Sequence, residues 1–204
     1  MPRVQYAASG RTFITSDTHF GQSDAIDSYD RPFNDIEEME ADFIDRCNQV
    51  MGRDDVLYHL GDFVGDQGNA REKIEVAIRI REQLHVGRII LVRGNHDPRK
   101  RKFDRIFDEV HDLLSPKGWR GGDHRVVFSH YPLRSWQGNR AGSLHLYGHT
   151  HGRLEEIGRS CDVGVDCWNH APVELDQVLD MLAHREITAL PARRFRRQPV
   201  REAE

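Results

Sequence analysis

Five short clusters hold the residues of this chain best suited to chemistry. They are Asp17-Thr18-His19, Gly61-Asp62, Gly94-Asn95-His96-Asp97, His130 and Gly148-His149-Thr150-His151. Asn95 offers a neutral oxygen ligand, His96 a ring nitrogen or a proton, and Asp97 a charge able to orient that histidine. Asp17 and His19 are two apart, so in extended backbone both point to one side and both can reach one metal ion. His149 and His151 repeat that spacing after a glycine. Asp62 also follows a glycine, and each carboxylate oxygen can serve one cation. Taken singly these are weak signals, because Asp-x-His and Gly-Asn are ordinary turn sequences. Together they form an oxygen and nitrogen set without thiolate, which suits Mn²⁺, Fe²⁺ or Zn²⁺ better than Ca²⁺ or a structural zinc. The set is too large for one ion. Two ions bridged by one carboxylate would use it.

Each cluster sits where a strand-like run ends. Arg11 to Ser16, Val56 to Leu60 and Arg88 to Val92 are short apolar runs, the last rich in β-branched residues. Arg125 to Ser129 and Leu144 to Tyr147 precede His130 and Gly148 in the same way, and Glu109 to Leu114 and Arg159 to Val165 read as further strands. Open α/β sheets present their sites at such carboxyl ends. His59 lies inside its strand and reads as a packed or hydrogen-bonded histidine.

Helices connect the first strands. One is expected from Asn34, with Glu37 completing a capping-box-like start, and with Ile36, Met39, Phe43, Cys47 and Val50 on its buried face. Gly52 suits its stop. Its acids, Asp35, Glu37, Glu38, Glu40, Asp42 and Asp45, read as a solvated face. Asn69 and Glu72 start a second helix, with Ile74, Ala77, Ile78 and Leu84 inward. This β-α-β order predicts parallel strands with right-handed crossovers. Residues 98–107 read as a basic helical segment carrying Arg99, Lys100, Arg101, Lys102 and Arg105. An exposed helix face is preferred there over an electrostatic guide for phosphate. A last helix is expected from Val173 to His184.

Composition narrows the classes. A length of 204 residues fits one domain with a tail, and can bury a sizeable core. The expected division is a single domain over 1–188 and an Arg-rich, mobile tail over 189–204. The net charge of −4 gives no global case for a nucleic-acid binder. No apolar run is long enough to span a membrane and the first ten residues lack a signal-peptide pattern, so a cytoplasmic protein is the default expectation. Cys47, Cys161 and Cys167 suggest no disulfide framework and no tetrahedral zinc site.

The ordered set Asp-x-His, Gly-Asp, Gly-Asn-His-Asp, a later His, and Gly-His-x-His resembles the calcineurin-like metallophosphoesterase superfamily, from Asp17 to His151. The resemblance implies an α/β (α+β) fold: a four-layer sandwich of two central mixed β-sheets flanked by helices. It implies that Asp17, His19, Asp62 and His151 hold one divalent metal. Asp62, Asn95, His130 and His149 hold the other. His96 then matches a non-ligand catalytic histidine, with Asp97 as its orienting carboxylate. Mn²⁺ is the favoured ion, with Fe²⁺ or Zn²⁺ as alternatives. Two cations roughly 3.5–4 Å apart activate a bridging water as hydroxide nucleophile, and protonated His96 serves as general acid. Ser16 to Gly21, Arg31-Pro32-Phe33, Tyr58 to Phe63 and Asn169 to Pro172 narrow the resemblance to small bacterial and phage-type members. Many of these have His where this chain has Gln22, a change expected to touch a ligand's support or a substrate contact.

No insertion is large enough for a lid, which favours phosphodiesters, single-stranded nucleic acid and nucleotides among them. The expected activity is a metal-dependent phosphodiesterase, with a nuclease included. A phosphomonoesterase is the alternative, and a catalytically silent metal-binding partner module ranks below it. Tyr131, Arg134, Asn139, Arg140 and Trp168 lie on loops next to the motifs and are candidate substrate contacts. Oligomeric state is not specified.

Overall fold

A computed structural model describes residues 10–116 and 125–187. Strand β1 (Thr12–Thr15) leads through a one-turn helix α1 (Ala25–Ser28) to the long helix α2 (Ile36–Val50). Strand β2 (Val56–His59), helix α3 (Ala70–Gln83) and strand β3 (Arg88–Val92) follow. One-turn α4 (Arg101–Asp104) precedes β4 (Glu109–His111). The second half holds β5 (Val126–Phe128), β6 (Leu144–Tyr147), β7 (Ser160–Asp162), β8 (Val173–Glu174) and α5 (Leu175–Ala183).

The strands form two sheets, flanked by helices as expected. The first has the order β4-β3-β2-β1-β8, and the second β5-β6-β7. β1, β2, β3 and β4 pair in parallel and β8 runs antiparallel on the β1 edge. The described pairs of the second sheet are parallel, and an antiparallel bridge from Leu114 to Phe128 extends its edge. Period-two alternation divides the first sheet's side chains between two cores. Phe13, Leu57, Ile89 and Leu91 pack under α2 and α3 with Met39, Phe43, Ala77 and Ile80. Ile14, Tyr58, Ile90 and Val92 face the other way and meet Phe128 and Leu146 of the second sheet and Leu175, Val178 and Leu182 of α5. Strands buried on both faces explain the continuous apolar runs in the sequence.

Local chemistry sets the helix ends. Asn69 caps α3 through the N–H groups of Arg71 and Glu72, and Glu72 returns to the Asn69 N–H, the expected capping box. The α2 cap falls one residue later than expected. Asp35 accepts from the Glu38 N–H, and the Glu38 carboxylate takes the Asn34 N–H. Glu40 departs from the expected solvated face. It is buried, accepts from the Gly21 N–H at 2.9 Å and pairs with Arg79 of α3 at 2.8 Å. Ile78, expected inward, is 42% exposed, because Ile80 takes the buried position. The expected basic helix over 98–107 is one turn only, held by buried Phe103 and Phe107. Val173 and Glu174, expected to open the last helix, instead pair with β1. The expected tail over 189–204 and the turn over 121–123 lie outside the described residues. No helix among the described residues is long and apolar enough to cross a membrane.

Candidate metal centre

All five clusters follow the carboxyl ends of strands, and the two sheets aim those ends at one place. β1 delivers Asp17 and His19, β2 Asp62, β3 Asn95 and His96, β5 His130, and β6 His149 and His151. Backbone bonds continue past the strands and lock the turns together: Asp17 N–H to the Gly61 carbonyl, His19 N–H to the Asp62 carbonyl, and Gly148 N–H to the His130 carbonyl, each 3.0 Å. Asp17, His19, Asp62, His149 and His151 all have positive φ, between 49° and 72°. That conformation costs a non-glycine residue about 1–3 kcal/mol, and such strain gathers at functional sites. Gly94 is required by close approach. A Cβ there would stand 2.1 Å from Asp62 Oδ1 and 2.3 Å from the Asp62 nitrogen.

Three overlapping ligand groups result: Asp17 with His19 and His151, His19 with Asp62 and His96, and Asp62 with His130 and His149. Asp62 lies between the two halves. Its Oδ2 is 3.8 Å from His19 Nε2, 3.2 Å from His130 Nε2 and 3.8 Å from His96 Nε2. Asn95 Oδ1 is 2.9 Å from His130 Nε2, so the second half includes the amide. In the first half, Asp17 Oδ1 and His19 Nε2 are buried with no hydrogen-bond partner and stand 4.0 Å apart. Two orphaned ligand atoms at that distance fit an ion bound at about 2.0–2.2 Å from each. The Nδ1 atoms are held from behind. His19 Nδ1 donates to Gln22 Oε1 at 2.8 Å, His130 Nδ1 to the Leu60 carbonyl at 2.9 Å, and His151 Nδ1 to Asp166 Oδ2 at 2.6 Å. Each bond leaves Nε2 facing the cluster, the arrangement of metal-binding histidines.

The protein groups alone set a characteristic field. Burial pushes the Asp17 carboxyl up to about 7 and the His19 imidazole down to about 3. Burial also opposes charge on Asp62 and His130, yet their mutual hydrogen bond and attraction prevail, holding Asp62 down at about 2 and His130 up at about 9. Burial lowers His149. Near neutral pH the Asp17 carboxyl is thus partly protonated and the His19 imidazole is neutral, with its nitrogen lone pair available.

A calcineurin-like phosphoesterase family model matches residues 10–199. The chain belongs to that family. An uncharacterized protein, MJ1445, from Methanocaldococcus jannaschii is 29% identical over 179 residues, covering 84% of this chain and 91% of its own. The gene 66 protein of Mycobacterium phage L5 is 26% identical over 201 residues, covering 85% and 94%. A crystal structure of a protein of unknown function, AQ665, from Aquifex aeolicus shares the fold. Its TM-score is 0.62 at 22% identity, covering 85% of this chain and all of that one. Family membership means metal-dependent phosphoester hydrolysis, and the His and Asp groups supply places for the metals.

Several supports of this phosphoesterase site were not legible as such in the sequence. Arg31 is buried, pairs with both oxygens of Asp166 at 2.8 and 3.0 Å, and donates to the Asp17 and Thr18 carbonyls. It therefore holds the Asp17-His19 turn and, through Asp166, the His151 ring. The Arg31-Pro32-Phe33 stretch was the available signal. Tyr29 stacks on His151 with ring centroids 3.5 Å apart. Gln22 proves to be a support of His19, also accepting from the Asp66 N–H. Asp97 departs from its expected role. Its carboxylate accepts backbone N–H groups of Asp62, Phe63, Val64 and Gly94 at 2.9–3.3 Å, so it fixes the Asp62 turn and not the His96 ring. His59 is hydrogen-bonded to Thr18, as expected.

Of the candidate substrate contacts, only Tyr131 reaches the cluster. It is 49% exposed, with its ring 4.6 Å from that of His149. Trp168 packs on the core and donates to the Asp162 carbonyl. Arg134 lines a cavity of about 240 Å³ with Leu133 and Leu154, and Asn139 bonds Ser135 within its own loop. Arg140 is exposed on the 3₁₀ turn Asn139–Ala141.

Proposed function

We propose that this chain is a binuclear phosphodiesterase that uses Mn²⁺ in preference to Fe²⁺ or Zn²⁺. The observation carrying the diester preference is the open rim. Asn95, Tyr131 and His149 are exposed and the His96 side chain is 24% exposed, so a substrate with groups on both sides of the phosphorus can lie across the ligands. Asp17, His19, Asp62 and His151 would hold one cation, and Asp62, Asn95, His130 and His149 the other. When bound, the pair supplies Lewis acidity toward phosphate oxygens and an activated water.

The chain's own residues do the rest. Asp62 sits between the halves, fixed by its N–H to Asp97 and by the His96 N–H on its Oδ1 at 2.8 Å. His96 is fixed at its other end by Lys73, which donates to its carbonyl at 3.1 Å. Its ring stands at the rim, where it donates a proton to the leaving oxygen. Tyr131 borders the same rim and can face the alcohol portion of the substrate.

The test is hydrolysis of paired aryl phosphate mono- and diesters with Mn²⁺, Zn²⁺, Mg²⁺ and Fe²⁺. Higher kcat/KM on the diester with Mn²⁺ is expected. Monoester preference would replace the phosphodiesterase with a phosphomonoesterase.

A further inference from the structure

α3, whose Lys73 bonds the His96 carbonyl, also borders a feature that the chemistry above does not use. An open groove of about 730 Å³ lies between α3 and the one-turn α4. Its apolar lining comes from Ile74 and the exposed Ile78, and its edge carries Arg71, Lys100, Arg101 and Lys102. Among the described residues, no carboxylate stands within 4.0 Å of the Lys100, Arg101 or Lys102 charges. Glu75 pairs with Arg71, and both are more than half exposed, so that pair is weak. Lys73, one residue before the groove-lining Ile74, bonds the His96 carbonyl at 3.1 Å, and Lys100 follows His96 by four residues. From Ile74 to Ile78 α3 rises about 6 Å, the length of roughly two stacked nucleotides.

We propose that this groove carries the strand of a single-stranded nucleic acid leading away from the scissile phosphate. The proposal rests on the phosphodiesterase reading. Lys100, Arg101 and Lys102 would neutralise successive phosphates, while Ile74 and Ile78 would lie against bases or sugars. A row of unpaired cations over an apolar strip fits a chain that is charged along one side and apolar along the other. The groove's walls, α3 and the segment that follows His96, are the ones tied to the site, which favours a polymeric substrate over an acidic protein partner.

The experiment compares the full-length chain with the triple variant Lys100→Ala/Arg101→Ala/Lys102→Ala. Binding of fluorescent oligothymidylate is followed by anisotropy in chelator, across a salt series. The variant is expected to bind about tenfold or more weakly, with a log–log salt slope smaller by about 2. Its kcat/KM on the oligonucleotide, relative to an aryl diester, should fall in parallel. Ile78→Ser should weaken binding without changing the salt slope. Equal binding by variant and wild type would overturn the proposal, as would tighter binding of polyglutamate than of oligothymidylate, which would assign the groove to an acidic protein. If the wild type turned over no diester, the functional reading would fall, while the anisotropy comparison would still decide the groove.

Discussion

His96 stands 3.8 Å from Asp62 Oδ2, with its backbone clamped on both sides, the N–H on Asp62 and the carbonyl under Lys73. Neither clamp uses the imidazole, so the ring can be removed while the turn and Asp62 stay in place. His96→Ala should therefore retain its metals and lose about 10²–10⁴-fold in turnover, most severely on alkyl esters, whose leaving oxygens need the proton most. Metal analysis alongside kinetics on aryl and alkyl diesters checks this, and full activity on the alkyl ester would remove the general-acid role. Protonation also governs loading. A cation must displace the proton that Asp17 keeps up to about 7 and the one that His130 keeps up to about 9. The sign is fixed, because both groups are protonated below those values and compete with the metal there. Apparent Mn²⁺ affinity should thus rise from pH 6 to pH 9 with net proton release, measurable by calorimetry in buffers of different ionisation enthalpy. A pH-independent affinity would contradict it.

At the level of elements, the site depends on turns after five strand ends being held from behind. Arg31 and Asp166 are 135 residues apart in the chain, yet their ion pair ties the β1 turn to the loop after β7 and aims His151. Asp166→Asn keeps the shape and weakens the acceptor, and Arg31→Lys keeps the charge and loses the two-point grip. Each should lower Mn²⁺ affinity about 10–100-fold with a smaller loss of thermal stability in the metal-free protein. Unaltered Mn²⁺ affinity in both would show that the pair serves folding alone. Such a pair is hard to read from sequence because nothing near Arg31 marks Asp166 as its partner. The strands and their polar ends were legible, since apolar runs and the residues after them are local patterns. Arg101–Asp104 shows the opposite limit. A basic run with helix-forming residues stops after one turn because Phe103 and Phe107 must reach the core. Ile80 takes the buried place of Ile78, and Glu40 is drawn inward by Arg79 and the Gly21 N–H, again through tertiary contacts that periodicity does not contain.

Across the whole molecule, the two sheets share one core and aim their strand ends at the same cluster, so no single half holds a complete site. That division follows from the topology: the first sheet supplies both carboxylates, the amide, His19 and His96, and the second supplies His130, His149 and His151. The clusters that meet at the candidate site were readable because each follows a strand-like run. Of the supports behind them, the sequence marked Gln22, while the partners of Arg31, Asp166 and Asp97 came with the fold. The most direct test of the binuclear account is titration of metal-depleted protein with Mn²⁺, following bound metal and aryl diester turnover together. Two equivalents should bind, with turnover appearing as the second site fills. Saturation of activity at one equivalent, or two bound equivalents without turnover, would contradict it.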